Sequence, residues 1–400
     1  RREILNAVER MSGEALRTLA AAMARDVSGP TEKQLTFIGL AGMADPVREE
    51  ARQAVKKFKD ASVKTVMITG DHANTALAVA RELGIAKDPS QCMTGAQIDG
   101  MDDETFKRRI SGITVFARVS PDHKVRIQAF KSLGNIVAMT GDGVNDAPSL
   151  KAADIGVAMG LGGTDVAKQA SDIILADDNF ATIEKAIEEG RGIYENIKKS
   201  VLFLLSSNFG EIMTMFAAIA CDIAAPLKAS HILWINLITD SLPALALGVD
   251  ENDMDDLMAR PPRDEKESLF AHGGLRCTVF YGLLIGGVSL AAFLMAPFAA
   301  LTESGREATW AALTESLGNP MILSRAQTYA FTVLGLSQLF HAVGMRNMRK
   351  SVFAMDHLSN KLMIAAFFAG VALQAAVTEI PFLVHAFQTV RLSAGEWGRL

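Results

Sequence analysis

The stretch NIVAMTGDGVND, residues 135–146, joins an apolar run to a glycine-rich turn that carries two aspartates. This pattern predicts a strand followed by a tight turn, because glycine tolerates the backbone angles that such turns require. Asp142 and Asp146, with Asn145 between them, offer the hard oxygen atoms that Mg²⁺ prefers. A turn of the same composition could also form without a metal.

The surrounding residues 36–180 repeat the alternation of short apolar runs and amphipathic helices, and LTFIGLAGM is the first of these runs. Such alternation predicts βαβ units and a parallel sheet. In open α/β sheets the ligand crevice lies beyond the carboxyl ends of the strands. We therefore expect the carboxylates that follow the apolar runs to lie at a binding edge.

A second segment, MITGDHANT at residues 67–75, repeats the strand–Thr–Gly–Asp design. Thr69 and Gly70 would lie at the N-terminus of the next helix, where backbone N–H groups favour a phosphate. The alternative is that Asp71 or Asn74 only caps that helix.

Composition limits the class of protein. The hydrophobic fraction of 49% and the mean hydropathy of +0.20 are too high for an ordinary soluble enzyme. The net charge of −5 and the lack of a basic tract argue against a nucleic-acid partner. Three cysteines without paired spacing argue against a disulfide framework.

The second half of the chain contains apolar runs near the length needed to cross a bilayer, about 20 residues. Five crossings are predicted, at 198–221, 230–249, 274–299, 325–345 and 360–387. The loop at 346–361 is short and basic, which places it in the cytoplasm by the positive-inside tendency. The acidic segment 250–270 falls on the same side and departs from that trend.

Polar residues inside the first two crossings indicate an ion site. Asn208 and Glu211 share one helix face, and Asn236, Thr239 and Asp240 share another. If the faces meet, they supply carboxylate, amide and hydroxyl oxygens, which suit Ca²⁺. The alternative is polar contact between helices, which explains the neighbouring serines better than two carboxylates.

The motifs MITGD and MTGDGVNDAP, with Lys124 in ARVSPDHKVRI, resemble the phosphorylation domain of P-type ATPases. On its own the lysine could be a solvated surface residue. The resemblance implies an α/β HAD-like domain with a parallel Rossmann-type sheet, followed by an all-α transmembrane helix bundle. It also implies catalytic roles for Thr69, Gly70, Asp71, Lys124 and Asn145, Mg²⁺ binding by Asp142 and Asp146, and a nucleotide-proximal position for Arg17, Arg118 and the hinge residue Asp45.

SSNFGE and NLITD resemble the fifth and sixth helices of type II calcium pumps of the sarcoplasmic-reticulum kind. The resemblance implies that the five polar residues of the two crossings bind the transported cation. Ca²⁺ is expected, with Mn²⁺ and Na⁺ as alternatives. Two-ion members carry a further glutamate where this chain has Gly335 and, one turn on, Gln338, so one Ca²⁺ per ATP is expected. His341 is expected to lie at a helix end near the cytoplasmic interface, and a role as a ligand or proton carrier is the alternative.

Two family motifs, Asp-Lys-Thr-Gly-Thr with the phosphorylated aspartate and Thr-Gly-Glu, do not occur in these 400 residues. The chain alone is therefore expected not to hydrolyse ATP, and to be the C-terminal part of a pump whose N-terminal part is missing. The expected domains are 1–35, a remnant of the nucleotide-binding domain, 36–185, the phosphorylation domain, and 186–400, the membrane domain.

The expected whole protein is a multi-pass pump of the plasma membrane with its soluble domain in the cytoplasm. It would use Mg²⁺ and ATP and export Ca²⁺, and protons could move the other way. A membrane-anchored phosphatase and a non-hydrolytic ion-binding membrane subunit are the alternatives.

Overall fold

The computed structural model describes residues 2–14, 16–25, 29, 31–32, 35–43, 46–264, 266–348 and 350–400. The chain forms two compact units. The first comprises Arg1–Glu189 and Asp255–Lys266, and the second comprises Gly190–Met254 and Glu267–Leu400.

All strands of the described residues lie in the first unit. They are β1 (Arg17–Met23), β2 (Thr36–Met43), β3 (Met67–Thr69), β4 (Cys92–Thr94), β5 (Val115–Ala117), β6 (Ala138–Gly141), β7 (Ile155–Met159) and β8 (Ile173–Leu175). β3, β5 and β4 form one parallel sheet in that order, and β6, β7 and β8 form another. These strands confirm the predicted α/β fold with parallel sheets.

The first predicted strand does not join the parallel sheets. β2, which contains most of LTFIGLAGM, pairs antiparallel with β1, with Arg17 opposite Met43 and Met23 opposite Thr36. The prediction of a parallel partner for this run was wrong, because an apolar run shows that a strand exists but not which strand it pairs with. β4 had no counterpart in the prediction, since its sequence, Cys-Met-Thr, does not lie in an apolar run.

The helices connect the strands in the first unit and make up most of the second. They are α1 (Arg2–Gly13), α2 (Glu49–Asp60), α3 (Ala73–Glu82), α4 (Gly95–Asp99), α5 (Asp103–Ile110), α6 (Pro121–Ile127), α7 (Ala147–Ala152), α8 (Asp165–Ala170), α9 (Ala181–Ala220), α10 (Ala229–Trp234), α11 (Ser241–Gly248), α12 (Met254–Ala259), α13 (Gly274–Glu303), α14 (Trp310–Ser316), α15 (Pro320–Met345), α16 (Lys361–Glu379), α17 (Pro381–Phe387) and α18 (Ala394–Trp397).

Apolar side chains on both faces of the parallel strands hold the first unit together. Phe106 and Phe116 belong to one buried cluster, and Met139 and Leu150 belong to a second. Ile68 of β3 packs against both clusters, so the two parallel sheets lie side by side. Each large apolar side chain buried in this way stabilises the fold by about 1.5–3 kcal/mol.

Glycines allow α9 and α13 of the second unit to approach closely. A Cβ atom on Gly286 would lie 2.9 Å from the backbone oxygen of Gly210, and a Cβ on Gly282 would overlap the ring of Phe209. Small residues at helix contacts are typical of membrane bundles, where close backbone packing replaces the hydrophobic effect.

Among the described residues, three helices are long and apolar enough to cross a membrane: α9, α13 and α16. They correspond to three of the predicted crossings. The predicted crossing 230–249 is divided into α10, a π-helical segment at Ile235–Thr239, and α11. The predicted crossing 325–345 lies within α15, and 360–387 is broken before Pro381, where α17 begins. The breaks inside 230–249 and 360–387 are not visible in the hydropathy of the sequence.

Candidate functional site

The motif residues of the first unit meet at the carboxyl edge of the parallel sheets. β3 and β5 are parallel and end at Thr69 and Ala117. Lys124 lies in α6, just after β5, and its Nζ forms an ion pair with Asp146, just after β6. The ends of all three strands therefore lie on one edge, which is where an α/β sheet binds its ligand.

Local sequence places Lys124 in position to make this contact. α6 begins with Pro121, and the Ser120 side chain accepts a hydrogen bond from the backbone N–H of His123 at 3.4 Å. Serine before a helix and proline at its first position are preferred because both suit the unpaired N–H groups there. The lysine is 22% exposed, and the structure gives it a specific partner rather than a solvated position.

Asp146 organises the TGDGVND turn. One of its oxygens accepts from Lys124, and Oδ2 accepts from the backbone N–H groups of Asp142 and Gly143, each at 3.2 Å. A Cβ atom on Gly141 would lie 2.5 Å from the Asp146 Cβ, so glycine is needed there. Burial tends to raise the pKa of Asp146, but the hydrogen bonds from Lys124 and the two amides outweigh it, and the pKa is lowered.

The TGD segment after β3 forms a self-contained turn. Thr69 Oγ1 donates to Asp71 Oδ2 at 2.9 Å and accepts from the Asp71 backbone N–H at 3.1 Å. His72 caps α3, because its Nδ1 accepts from the Asn74 N–H at 3.3 Å. The alternative, in which the side chain of Asp71 or Asn74 caps this helix, is therefore wrong.

The other motif residues of the edge are exposed to solvent. Gly70, Asp71, Asp142 and Asn145 are all exposed, as a phosphate-binding surface requires. Arg118 is exposed too. Its backbone is left-handed, with φ of 50°, and its backbone N–H donates to the backbone oxygen of Asp71 at 3.1 Å.

Two of the residues predicted to lie near the nucleotide are not seen at this edge of the parallel sheets. Arg17 is the first residue of β1, in the antiparallel pair rather than in the parallel sheets. Asp45 lies outside the described residues. Their roles stay predictions.

The turn after β6 fits a Mg²⁺ ion through its exposed oxygens. The carboxylate of Asp142 has no hydrogen-bond partner in the part of the chain that the structure describes, and the Asn145 amide is exposed beside it. Mg²⁺ binds few protein groups and retains several waters, which this open arrangement permits. Both oxygens of Asp146 are already engaged, so its direct Mg²⁺ contact stays a prediction. The described residues contain no cluster of three His, Cys, Asp or Glu side chains that could hold a metal.

The second unit buries a carboxylate among amides. Glu211 of α9 is 5% exposed. Its Oε2 accepts from Asn236 Nδ2 at 3.0 Å, and its Oε1 accepts from Gln338 Nε2 at 3.4 Å. Three helical segments thus converge on one oxygen-rich point inside an apolar bundle, where a buried polar group is costly unless it is paired.

Asp240 lies beside this cluster without a partner of its own. It is fully buried, and neither oxygen of its carboxylate has a hydrogen-bond partner among the described residues. It is close enough to Glu211 for electrostatic repulsion. The π-helical segment sets its position, since the Asp240 N–H donates to the Ile235 oxygen, five residues back, at 2.9 Å. Single π turns often occur at functional sites.

The remaining predicted ligands lie on the same elements. Asn208 is half-buried on α9, and its Nδ2 donates to the Leu204 oxygen at 2.9 Å, which leaves its Oδ1 for another contact. Thr239 is 2% exposed, inside the π segment and next to Asp240.

Sequence reasoning missed two glutamines of this region as site residues. Gln338 contacts Glu211, as described above, and its Oε1 has no partner among the described residues. Gln374 of α16 is fully buried against Gly335, where a Cβ atom would lie 3.0 Å from the Gln374 Oε1. The usable signal was a polar side chain inside an apolar helix, where such side chains are costly.

His341 lies four residues before the end of α15, as predicted. It is 5% exposed, its Nε2 lies 2.6 Å from Ser206 Oγ, and its ring centroid lies 4.3 Å from that of Tyr281. It is therefore packed between helices, and its closeness to the cytoplasmic interface stays a prediction.

Comparisons with known proteins find relatives for both parts of the chain. Residues 224–400 match a family model described as the C-terminus of cation-transporting ATPases, and residues 7–154 match one described as haloacid dehalogenase-like hydrolase. The chain is 48% identical to Calcium-transporting ATPase 1 of Bacillus cereus, over 99% of this chain and 45% of that protein.

Two further relatives carry similar names. A calcium-transporting ATPase of Bacillus subtilis is 43% identical, over 97% of this chain and 42% of its own. Human calcium-transporting ATPase type 2C member 1 is 40% identical, over 96% of this chain and 39% of its own. The chain thus spans less than half the length of these curated relatives.

Proposed function

The chain belongs to the P-type ATPase family of cation transporters, whose C-terminal part it matches, and from this premise we propose that it is part of an ATP-driven Ca²⁺ export pump. The observation that carries the proposal is the buried Glu211, which Asn236 and Gln338 hold by hydrogen bonds, with the buried and unpartnered carboxylate of Asp240 within electrostatic reach of it. The relatives are named as calcium transporters, and the chemistry of the buried cluster agrees with that cargo.

The ligand set supports a hard divalent cation. Two carboxylates, amide oxygens and a threonine hydroxyl are oxygen ligands of the type that Ca²⁺ takes, and thiolates are absent from the cluster described. Asp240 and Glu211 repel each other when both are charged, and a cation between them would convert that repulsion into attraction. Asp240 has unused oxygens for this purpose.

The residues of α15 support one ion per cycle. Gln338 supplies an amide where a further carboxylate would be needed to neutralise a second divalent cation. The two buried carboxylates balance the charge of one Ca²⁺. When the ion leaves, protons would recharge them, so proton counter-transport belongs to the proposal.

The first unit would carry out the phosphoryl chemistry. Thr69 and the Gly70 amide would hold phosphoryl oxygens, Lys124 would neutralise their charge, and Asp142 would hold Mg²⁺ with Asn145 nearby. Bound Mg²⁺ supplies charge stabilisation at the transferring phosphoryl group. Asp146 orients Lys124 and the turn through the contacts described above.

The phosphorylated aspartate is not in this chain, because the sequence contains no Asp-Lys-Thr-Gly-Thr motif. We place it in another segment of the pump, and we expect the 400-residue chain by itself not to form the aspartyl phosphate. Coupling would run through α9, one unbroken helix of 40 residues that begins in the first unit and carries Glu211. The helix is about 60 Å long at 1.5 Å per residue.

The basic loop between α15 and α16 supports a cytoplasmic side for the soluble unit, and we assign the pump to the plasma membrane as a multi-pass protein. ATP, the cation and the lipid bilayer are then its partners.

Phosphorylation of the full-length pump in vesicles tests this function. Micromolar Ca²⁺ should stimulate acid-stable labelling from ATP, and Mn²⁺ or Na⁺ should stimulate it less. Lys124→Ala should lower labelling while equilibrium Ca²⁺ binding is retained. Stimulation by Na⁺ or Mn²⁺ without Ca²⁺ would make the calcium assignment wrong. Ca²⁺ binding with no labelling under any ion would favour a non-hydrolytic subunit.

A further inference from the structure

The connection between α15 and α16 presents large apolar side chains to solvent. Phe353 is 100% exposed and Leu358 is 76% exposed, and Val352 and Met348 are exposed as well. Isolated exposed apolar residues need no explanation, but a group of them on one short connection marks an interaction surface.

Hydrogen bonds from two side chains, those of Arg346 and His357, hold the loop that carries these apolar residues. Arg346 at the end of α15 donates from Nη1 to the Asp356 backbone oxygen at 2.8 Å and from Nη2 to Ser359 Oγ at 2.7 Å. His357 Nε2 lies 2.8 Å from the Val352 backbone oxygen. The backbone is therefore fixed from inside, and the apolar side chains point outward from an ordered loop.

The loop continues directly into a membrane span. α16 starts at Lys361, and Asn360 caps it, since its Oδ1 accepts from the Met363 N–H at 2.8 Å. Leu358 thus lies three residues before the span. The headgroup region adds about 5–7 Å on each side of the hydrocarbon core, which is within reach of these residues.

The charge of the loop fits an anionic lipid surface. Residues 346–361 contain four Lys or Arg and one Asp. Lys350 and Lys361 are exposed, whereas Arg346 is buried in its contacts. Exposed basic residues beside a membrane helix are attracted to anionic lipids, and apolar side chains between them enter the boundary between headgroups and acyl chains.

We propose that residues 350–358 form an interfacial anchor that inserts Phe353 and Leu358 into an anionic leaflet beside α16. The anchor would fix the ends of α15 and α16 relative to the bilayer surface. It does not depend on which ion is transported, and it rests only on the placement of α16 in the membrane.

The test uses Phe353→Trp in the full-length pump, reconstituted into vesicles of phosphatidylcholine with or without phosphatidylglycerol. Lipids brominated near the headgroup end of the acyl chain quench a tryptophan at that depth. The fluorescence that the variant adds over wild type should fall about twofold in anionic vesicles and less in neutral ones. Leu161→Trp, at a residue of the soluble unit that is 80% exposed, is the matched control and should not be quenched.

Lys350→Glu in the Phe353→Trp background should reduce quenching in anionic vesicles, and the same substitution in the Leu161→Trp background should change nothing. Equal, small quenching of the Phe353 and Leu161 reporters would overturn the proposal and indicate that a protein surface or water covers the loop. Quenching that is independent of anionic lipid and of Lys350 would overturn the headgroup part of it.

Discussion

Replacement of Asp240 by Asn tests the cation site most directly. The substitution keeps the size of the side chain and removes one negative charge from a fully buried position. Both oxygens of Asp240 lack hydrogen-bond partners among the described residues, so the change breaks no observed contact. Any loss of Ca²⁺ binding would then come from the ligand itself rather than from a disrupted fold.

The size of the effect follows from the charge balance of the site. In the proposed site, Glu211 and Asp240 together would neutralise a divalent ion, whereas the variant would leave one positive charge uncompensated in an apolar bundle. Removal of one partner of a buried charge pair costs about 2–5 kcal/mol, which corresponds to an affinity loss of roughly 30- to 5,000-fold. The relief of repulsion between the two carboxylates should also leave the cation-free protein at least as stable as wild type.

The assay is equilibrium Ca²⁺ binding to the full-length pump in lipid nanodiscs, with thermal unfolding followed in parallel. Wild type should gain about 2.7 kcal/mol of stability at a Ca²⁺ concentration a hundred times its dissociation constant, and the variant, weakened roughly 30- to 5,000-fold, should gain less than about 1 kcal/mol at that concentration. Asp222→Asn, at an exposed residue after the end of α9, is the control and should bind as wild type does. Ca²⁺ affinity within threefold of wild type in Asp240→Asn would show that Asp240 is not a ligand of the ion.

The other predictions concern the stability of the first unit. Its free energy of unfolding can be measured by hydrogen exchange of the sheet amides, with exchange rates corrected for pH. Asp146→Asn should destabilise the unit by about 2–4 kcal/mol at neutral pH, less than a fully buried pair because Lys124 is 22% exposed. The pKa of Asp146 is lower in the folded chain than in the unfolded chain. Its contribution to the free energy of unfolding is therefore complete above the unfolded pKa and is lost as pH falls through the folded pKa, so the stabilities of variant and wild type should converge below about pH 4. A constant difference in stability down to about pH 2 would contradict this. Gly163→Ala should destabilise by about 1–3 kcal/mol because its Cβ would overlap the backbone of the preceding strand. Gly112→Ala, whose Cβ meets only a backbone oxygen at 3.7 Å, should change stability by less than about 0.5 kcal/mol; equal effects of the two would show that the contact is relieved elsewhere.

The sequence predicted the parallel strands and their carboxyl-edge motifs well, because the information is local. The runs before Thr69 and Gly141 are apolar, short and followed by glycine, and each feature has a direct backbone consequence. The antiparallel pairing of β2 with β1 was not predicted. Pairing depends on which edge is free after the chain has folded, and an apolar run does not contain that information.

The membrane half shows the same division. Hydropathy identified α9, α13 and α16, since about 20 apolar residues in a row have few soluble alternatives. It did not show that the helix around Asp240 is interrupted by a π segment. That interruption shifts the hydrogen-bond pattern from four residues to five, which changes the direction of Asp240 without changing any letter of the sequence.

Residue type alone limits which ions and phosphates this chain could bind. The relevant features are the carboxylates and amides in apolar helices, the two Thr-Gly-Asp turns, and the lysine between those turns. Which of these groups lie together depends on the fold. Asp146 pairs with Lys124 across 22 residues, Gln338 reaches Glu211 across 127, and His341 is covered by Tyr281 and Ser206. Contacts of that range depend on how helices and strands pack in three dimensions, and packing is a property of the folded chain rather than of any segment.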